Sequence, residues 1–149
     1  MLKHTLVAKA FEGGETLNDV AVPAAQADLI PTLLLVEDEI WMRLDVAGRL
    51  RGAGFKVVEA HNGEEALALL RSSVRIDLVL TDLQMPRMDG AALVAFIRAQ
   101  FPHIPIFMTS GQLPSQAVYK LLDGFFSKPL DIANFIGYLE ASSRPKSQT

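Results

Sequence analysis

From residue 32 to about residue 141 the sequence alternates between two kinds of segment. Short runs rich in leucine and β-branched residues are each followed by a longer segment whose apolar residues recur every three or four positions. Strands that alternate with helices are typical of a parallel sheet, because joining two parallel strands requires a crossover that is usually a helix. The alternation therefore predicts an α/β domain in which one doubly wound, five-stranded parallel sheet carries helices on both faces.

The same pattern predicts where the elements lie. Strands are expected at residues 32–36, 56–60, 76–81, 104–109 and 124–127, and residues 115–122 leave room for only a short fourth helix. Asn62 and Glu65 are typical of an N-cap and its capping-box partner at the start of the second helix. The apolar residues that predict the other helices are Ile40, Leu44 and Ala47, then Leu93, Val94, Ile97 and Phe101, and finally Ile132, Phe135, Ile136 and Leu139.

The segments on either side of residues 32–141 differ from this pattern. Residues 1–31 are weakly patterned, which predicts an N-terminal extension: a flexible leader, an unused upstream start or a partner-binding helix. Lys9 and Glu12 interrupt the apolar stretch that a secretory signal would need. Residues 142–149 are expected to form a polar tail.

Composition excludes several classes of function. The 149 residues carry a net charge of -3, so no basic field is available to attract nucleic acid or anionic lipid. Cysteine is absent, which excludes disulfides, thiolate metal sites and cysteine nucleophiles and is consistent with a reducing cytosol. The longest apolar run is far shorter than the roughly 20 residues of a membrane span.

Polar side chains follow the odd-numbered strands and the fourth strand. Glu37 and Asp38 follow the first strand, Asp82 the third, Ser110 the fourth and Lys128 the fifth. Because the carboxyl ends of parallel strands meet at one edge of the sheet, we expect these side chains to lie together.

The predicted cluster combines carboxylates, a hydroxyl and an ammonium group. Carboxylates that stay ionised at close range need a cation, and hard oxygen ligands favour Mg²⁺. An aspartate can act as a nucleophile that forms an aspartyl phosphate, and phosphoryl transfer depends mainly on positioning and on neutralising charge. For Asp82 alone an ordinary turn residue would be the simpler interpretation; the whole set favours phosphoryl chemistry.

Four motifs carry a family resemblance. LLLVEDE, LVLTDLQMPRMDG, IPIFMTSG and GFFSKPL resemble, in order and spacing, the motifs of the receiver domain of two-component response regulators. The resemblance covers residues 32–141. It implies a flavodoxin-like sheet of order 2-1-3-4-5 and a single-domain, cytoplasmic bacterial phosphoprotein that signals through protein contacts.

The resemblance also implies a role for each site residue. Asp82 resembles the phosphoacceptor, which takes its phosphoryl group from a sensor histidine kinase or a histidine phosphotransfer protein. Ser110 and Lys128 resemble the hydroxyl and the ammonium that bind phosphoryl oxygens, and the bond between Lys128 and Pro129 is cis in the family. The implied ligands of Mg²⁺ (or Mn²⁺) are Glu37, Asp38, Asp82 and the backbone carbonyl of Gln84.

The resemblance implies a switch as well. Ser110 and Phe125 occupy the positions of the switch hydroxyl and the switch aromatic residue, and Phe125 would respond by changing between packed and exposed rotamers. A downstream protein target and a phosphorylation-dependent dimer are further implied partners. The TSG after the fourth strand and the short fourth helix are similar to the FAT GUY receivers, although the FAT part of that motif is absent.

Other interpretations are considered for individual residues and for the chain. Glu39 is expected to be a helix N-terminal charge, Asp89 and Gly90 turn residues, and Trp41 part of the core or a wall of the site. The chain could instead be a phosphorylation-independent interaction module, which the intact set of site residues disfavours. A phosphatase of the haloacid dehalogenase type is disfavoured because Gln84 stands where its second aspartate is expected, so the general acid is missing.

Overall fold

The computed structural model describes residues 30–143, so the predictions for residues 1–29 and 144–149 lie outside the described residues. Five strands form one parallel sheet in the order β2-β1-β3-β4-β5, as the family resemblance implies. The strands are β1 (Thr32–Val36), β2 (Lys56–Ala60), β3 (Leu78–Asp82), β4 (Ile106–Ser110) and β5 (Gly124–Ser127).

Two strands lie later in the sequence than predicted. β3 and β4 begin two residues after the predicted starts at Ile76 and Ile104, and each ends one residue later. The leading isoleucines are buried, so hydrophobicity alone does not separate them from the strand. At the other end, Asp82 pairs with Thr109 and Ser110 pairs with Ser127, so both polar residues are inside the ladder rather than after it.

Five helices alternate with the strands, and a side chain caps the N-terminus of each, with Asp131 in this role for the last helix. Glu39 accepts hydrogen bonds from the amides of Trp41 (3.0 Å) and Met42 (2.6 Å), as expected for an acid at the positive end of a helix. Asn62, Asp89 and Ser115 cap the next three helices in the same way. The helices are α1 (Ile40–Gly52), α2 (Gly63–Arg71), α3 (Gly90–Gln100), α4 (Gln116–Tyr119) and α5 (Ile132–Ser143).

The fourth helix is shorter than the segment predicted for it. α4 is a single turn with no buried residue, and Leu121 and Leu122 follow it outside the helix. The segment after α4 is instead held from α3 by Arg98, whose guanidinium donates to the carbonyl of Leu121 (2.7 Å) and to the carboxylate of Asp123. Apart from the partly buried side chain of Val118, the contacts that hold this segment therefore lie after α4.

The sheet separates two hydrophobic cores. One, the α2/α3 core, packs residues such as Leu70 and Ile97 against Val79 and Met108 of the sheet. The other, the α1/α5 core, packs helices α1 and α5 on the opposite face and contains an aromatic cluster. Within that cluster Phe107, Phe126, Phe135 and Tyr138 meet edge to face, with ring centroids 5.2–6.1 Å apart.

The first helix buries only part of the face that its apolar spacing indicates. Ala47 is buried as predicted, together with Leu50, whereas Ile40 and Leu44 are 52% and 48% exposed. Trp41 is 75% exposed, so its predicted place in the core or the wall of the site is wrong. The residues of α1 that pack are spaced through its C-terminal half, and its first turn projects apolar side chains into solvent. Among the described residues, no helix is long and apolar enough to cross a bilayer.

Candidate functional site

Asp82 is a buried carboxylate at the carboxyl end of the central strand. Its side chain is 7% exposed, and each oxygen has its own donor. Oδ1 accepts a hydrogen bond from the amide of Leu83 (2.7 Å), and Oδ2 accepts one from Lys128 Nζ (3.0 Å). The strand end and the first residue of the following loop therefore fix the orientation of this carboxylate.

Lys128 joins Asp82 to a second buried acid. Its Nζ also donates to Oε2 of Glu37 (3.1 Å), which lies just after β1. Burial lowers the pKa of Lys128, but the hydrogen bonds to Asp82 and Glu37 outweigh it, so the pKa is raised above the ordinary value. The ammonium group consequently stays charged between the two carboxylates.

The negative charge in the site exceeds what Lys128 compensates. Glu37, Asp38 and Asp82 each place a carboxylate oxygen within 4.8 Å of the others. Burial and the neighbouring charge of Asp82 raise the pKa of Glu37 despite its bonds to Lys128 and to the amide of Glu39. Three carboxylates around one ammonium group therefore leave an excess of negative charge that a further cation would neutralise.

Gln84 and Asp38 border the same open cleft. This cleft has a volume of about 630 Å³ and is also lined by Leu83, Met85 and Pro86, among other residues. The loop after β3 thus lies beside the exposed carboxylate of Asp38, where a backbone carbonyl can complete a set of oxygen ligands.

Gly90 allows that loop to close tightly on Asp82. Its amide donates to the carbonyl of Leu83 (2.7 Å), and a Cβ atom at this position would lie 2.1 Å from the carbonyl oxygen of Asp82. Asp89 caps α3 through the amide of Ala92 (2.8 Å). Asp89 and Gly90, which the sequence predicts to be turn residues, therefore also set the path of the loop across the site.

Ser110 lies at the end of β4, next to the strand that carries Asp82. Its side chain is buried, and its hydroxyl accepts a hydrogen bond from the amide of Gln112 (3.1 Å). The side chain of Gln112 in turn accepts a hydrogen bond from Nε2 of Gln84 (3.2 Å), so the loops after β3 and β4 are linked in front of the site. Phe125 is partly buried against the α2/α3 core.

The end of β5 is tied to the end of β4. The amide of Lys128 donates to the carbonyl of Ser110 (3.0 Å), and the bond between Lys128 and Pro129 is cis, as the family resemblance implies. This connection directs the chain away after Lys128 while its side chain reaches back across the sheet edge.

Two residues at the site are not identifiable from the sequence. Arg43 donates from a guanidinium nitrogen to the carbonyl of Glu37 (2.8 Å), and Thr109 is the direct neighbour of Asp82 in β4. Both lack a sequence signal: Arg43 is one of several arginines in α1, and Thr109 precedes the hydroxyl residue that the motif marks.

Chemically, the site pairs an oriented carboxylate with groups that bind anionic oxygens. The hydrogen bonds to Asp82 fix a carboxylate that could act as a nucleophile, Lys128 supplies positive charge, and Ser110 supplies a hydroxyl at the neighbouring strand end. The carboxylates of Glu37 and Asp38 add ligands for a divalent cation. These are the components that phosphoryl transfer to a carboxylate requires.

Comparison with known proteins agrees with this assembly. Residues 33–140 match the family model of the response regulator receiver domain. The transcriptional regulatory protein ZraR of Escherichia coli strain K12 is 38% identical over 112 residues, which cover 72% of this chain and 25% of ZraR. The sensor kinase CckA of Brucella abortus is 34% identical over 110 residues, covering 68% of this chain and 11% of CckA. The chain thus spans about a quarter or less of the length of these two relatives.

Solved structures show the same fold over nearly their whole length. The response regulator TrrA of Thermotoga maritima, solved in complex with Mg²⁺ and BeF, superposes with a TM-score of 0.68 at 25% identity, covering 74% of this chain and 99% of TrrA. The motifs, the strand order, the site and the family match lead to one assignment: this chain belongs to the family of response regulator receiver domains of two-component systems.

Proposed function

We propose that the chain accepts a phosphoryl group on Asp82 from the phosphohistidine of a sensor histidine kinase or a histidine phosphotransfer protein. The observation that carries this proposal is the arrangement of Asp82 itself, a buried carboxylate held by one amide and by Lys128 beside two further acids. Receiver domains are phosphoacceptors in two-component signalling, and residues 33–140 of this chain match the model of that family.

The reaction is an in-line exchange of one bond for another. An oxygen of the Asp82 carboxylate forms a bond to phosphorus while the bond between phosphorus and the donor nitrogen breaks, and the histidine leaves with its electron pair. Lys128 and Ser110 bind phosphoryl oxygens of the product. In self-dephosphorylation, water attacks phosphorus, the bond between phosphorus and the Asp82 oxygen breaks, and Asp82 leaves as a carboxylate.

The acidic residues fit a divalent cation. Glu37, Asp38, Asp82 and the backbone carbonyl of Gln84 would hold Mg²⁺ or Mn²⁺, because they present hard oxygen atoms around a surplus of negative charge. When bound, such an ion neutralises charge on the carboxylates and on the phosphoryl oxygens. TrrA, which has the same fold, was solved with Mg²⁺ and BeF.

We propose that Gln84 and Gln112 limit the loss of the phosphoryl group. Their side chains are joined by a 3.2 Å hydrogen bond in front of the site, where an attacking water has to pass. The chain would then act as a slow self-phosphatase rather than as an enzyme on other substrates. A dehalogenase-type phosphatase gains no support, because Gln84 is bonded to Gln112 and supplies no acid.

The exposed N-terminal part of α1 is the proposed contact for the phosphodonor protein. Ile40, Trp41 and Leu44 are apolar, exposed and close in sequence to Asp38, which borders the site. An apolar surface beside the acceptor is suited to a helical partner that has to bring a phosphohistidine to Asp82. A sensor kinase is among the relatives of this chain, which fits a phosphodonor of that class.

Phosphorylation is proposed to be read out by protein contacts. Ser110 would turn to the phosphoryl group and release the Gln112 amide, and Phe125, which is partly buried on the neighbouring strand β5, would repack. A downstream protein or a phosphorylation-dependent dimer would recognise the altered surface.

We place the receiver at residues 32–141, flanked by an extension (1–31) and a tail (142–149), and its action in the cytoplasm.

The test is phosphorylation by acetyl phosphate in the presence of Mg²⁺, followed by intact-protein mass spectrometry. The wild type is expected to gain one acid-stable, base-labile phosphoryl group, and Asp82→Asn is expected to gain none. Asp131→Asn is the matched control, because Asp131 is exposed and caps α5, a role that asparagine fills equally well. Equal yields in wild type and Asp82→Asn would refute the proposal and favour an interaction module.

A further inference from the structure

Thr109 has a buried hydroxyl group with no partner. The residue is 5% exposed, and Oγ1 is the buried side-chain oxygen or nitrogen, among the described residues, that makes no hydrogen bond. Leaving a buried hydroxyl unpaired is unfavourable, so such a group in a native protein calls for an explanation.

The register of the sheet places this hydroxyl beside the proposed phosphoacceptor. Thr109 is the direct neighbour of Asp82 between β4 and β3. Leu80 and Phe107 face the α1/α5 core, and side chains alternate between the faces of a strand. Asp82, two residues after Leu80, and Thr109, two residues after Phe107, therefore lie on the same face, on strands about 4.8 Å apart.

The side chain of Lys128 has to cross the end of β4. β4 lies between β3 and β5 in the sheet, and Lys128 follows β5. Its Nζ nevertheless bonds Asp82 at the end of β3 and Glu37 beyond β1. The lysine thus spans the end of the strand on which Thr109 and Ser110 lie, and Thr109 is next to the carboxylate that the ammonium group reaches.

Phosphoryl transfer changes what Lys128 binds. In the structure its ammonium group donates to Oδ2 of Asp82, whereas in the transferring state it has to donate to phosphoryl oxygens. The Asp82 carboxyl group then loses its charged donor. Among the described residues, Thr109 has the one buried hydroxyl without a hydrogen-bond partner, and it lies on the strand adjacent to Asp82 and on the same face of the sheet.

We propose that Thr109 is a positioning residue for phosphoryl transfer on Asp82, and that its hydroxyl donates to the Asp82 carboxyl group when the Lys128 ammonium moves to the phosphoryl group. This inference rests on the proposed function of Asp82. The donor acts in both directions of transfer, because gain and loss of the phosphoryl group both pass through a state with a partly formed bond between Asp82 and phosphorus. In that state the carboxyl group carries part of a negative charge that a hydroxyl donor stabilises.

The experiment compares Thr109→Val, which keeps the shape but removes the hydroxyl, with Thr109→Ser, which keeps the hydroxyl. Each protein is phosphorylated with acetyl phosphate and Mg²⁺, and the rates of gain and subsequent loss are followed by mass spectrometry. Thr109→Val is expected to slow both rates by about threefold to tenfold, the effect of one neutral hydrogen bond, and Thr109→Ser is expected to stay within about twofold of wild type. Thr109→Ala is a second variant without the hydroxyl and is expected to slow both rates as well.

A purely structural role gives a different result. Thr109→Val would then unfold at the same or a higher temperature than wild type, with both rates unchanged, and this would overturn the inference. Equal slowing in Thr109→Val and Thr109→Ser would also overturn it, because the cause would be packing rather than the hydroxyl. Failure of wild type to be phosphorylated on Asp82 would instead refute the proposed function.

Discussion

Lys128 compensates two buried carboxylates that lie far apart in the sequence. Its Nζ is 3.1 Å from Glu37 Oε2 and 3.0 Å from Asp82 Oδ2, and these acids are 5% and 7% exposed. The same ammonium group is the one that the proposed reaction directs to the phosphoryl oxygens. One residue would therefore serve both the resting site and the proposed transfer step.

Lys128→Met is expected to lower the rate of phosphorylation by acetyl phosphate by about a hundredfold, the usual effect of removing one preorganised donor from a developing anion. The rate is measured by intact-protein mass spectrometry at fixed Mg²⁺. Lys120→Met is the matched control, since Lys120 is exposed after α4, and should react like wild type. A rate for Lys128→Met within twofold of wild type would exclude the proposed role.

Glu37 gives a prediction that depends on pH and on metal. Its pKa is raised, chiefly by burial, so ionising it costs the folded protein free energy relative to the unfolded chain. That cost is present above the raised pKa and disappears below the unfolded value near 4.5. Without metal, Glu37→Gln should therefore be more stable than wild type at pH 7, with the difference shrinking as the pH falls through the raised pKa.

Urea unfolding with and without Mg²⁺ measures this effect. In saturating Mg²⁺ the order should reverse, because a ligand that binds the folded state stabilises it and the variant lacks one carboxylate ligand. A Glu37→Gln protein that is less stable than wild type at pH 7 without metal would contradict the electrostatic interpretation of the acidic cluster.

At the scale of elements, the loop between β3 and α3 is fixed by close backbone packing. A Cβ atom at position 90 would lie 2.1 Å from the carbonyl oxygen of Asp82 and 2.8 Å from the Cα atom of Leu83. Any residue other than glycine at this position therefore requires the loop to move. The loop carries the Gln84 carbonyl, and its displacement should disturb both folding and the proposed cation site.

Gly90→Ala is expected to destabilise the protein by about 1–3 kcal/mol, the range for overpacking, and to slow phosphorylation. Gly137→Ala is the matched control: the methyl group that it adds in α5 would meet nothing within 4 Å, so it should stabilise the helix by about 0.5–1 kcal/mol. Chemical unfolding and the acetyl phosphate assay measure both effects. A Gly90→Ala protein as stable as wild type would show that the loop yields without cost.

The single turn of α4 is the element with least support. It buries no residue, and Gly111 and Pro114 precede it, while Arg98 holds the chain only after it. We predict that beryllofluoride and Mg²⁺ increase amide exchange protection at residues 113–120 by ordering this turn. Hydrogen exchange mass spectrometry tests the prediction, with Asp82→Asn as a control that should not respond. Equal protection in the free and beryllofluoride-bound wild type would refute it.

Much of the fold could be predicted because alternation and strand-end chemistry are local signals. β1, β2 and β5 have the predicted bounds, and the N-caps at Glu39 and Asn62 follow from their side chains. The packed face of α1 could be predicted only in part, because its apolar residues surround the helix: the spacing predicts that Ala47 packs, but tertiary contacts bury Leu50 and leave Ile40 and Leu44 exposed. The predicted capping box shows a local difference: the amide of Glu65 donates to Asn62 as expected, whereas the Glu65 carboxylate contacts His61, four residues earlier in the sequence.

The site was predictable where residue type and strand end coincide, as for Asp82 and Lys128. It was not predictable where the role depends on sheet register. Thr109 becomes noteworthy only when β4 is aligned with β3, and Arg43 only when the first turn of α1 brings its guanidinium to the Glu37 carbonyl. Such contacts need the three-dimensional arrangement, because a strand sequence does not specify its neighbour.

For the whole molecule, the site depends on the assembled sheet. Glu37 and Lys128 are 91 positions apart and come from the loops after β1 and β5, yet they share one hydrogen bond. Asp82 lies between them on the central strand. The Asp82 carboxylate, the ammonium group and Glu37 therefore come together only when β1, β3 and β5 are joined in the sheet through β4, which would couple the proposed phosphorylation to the native fold.

The most direct test locates the phosphoryl group on the intact protein. After reaction with acetyl phosphate and Mg²⁺, borohydride reduces an aspartyl phosphate to homoserine, and trypsin releases the peptide of residues 76–87, which contains both Asp77 and Asp82. Tandem mass spectrometry is expected to find homoserine at position 82 and unmodified aspartate at position 77, and to find no homoserine when Mg²⁺ is chelated. Homoserine at position 77, at any other aspartate, or nowhere in the chain would contradict the assignment of Asp82 as the phosphoacceptor.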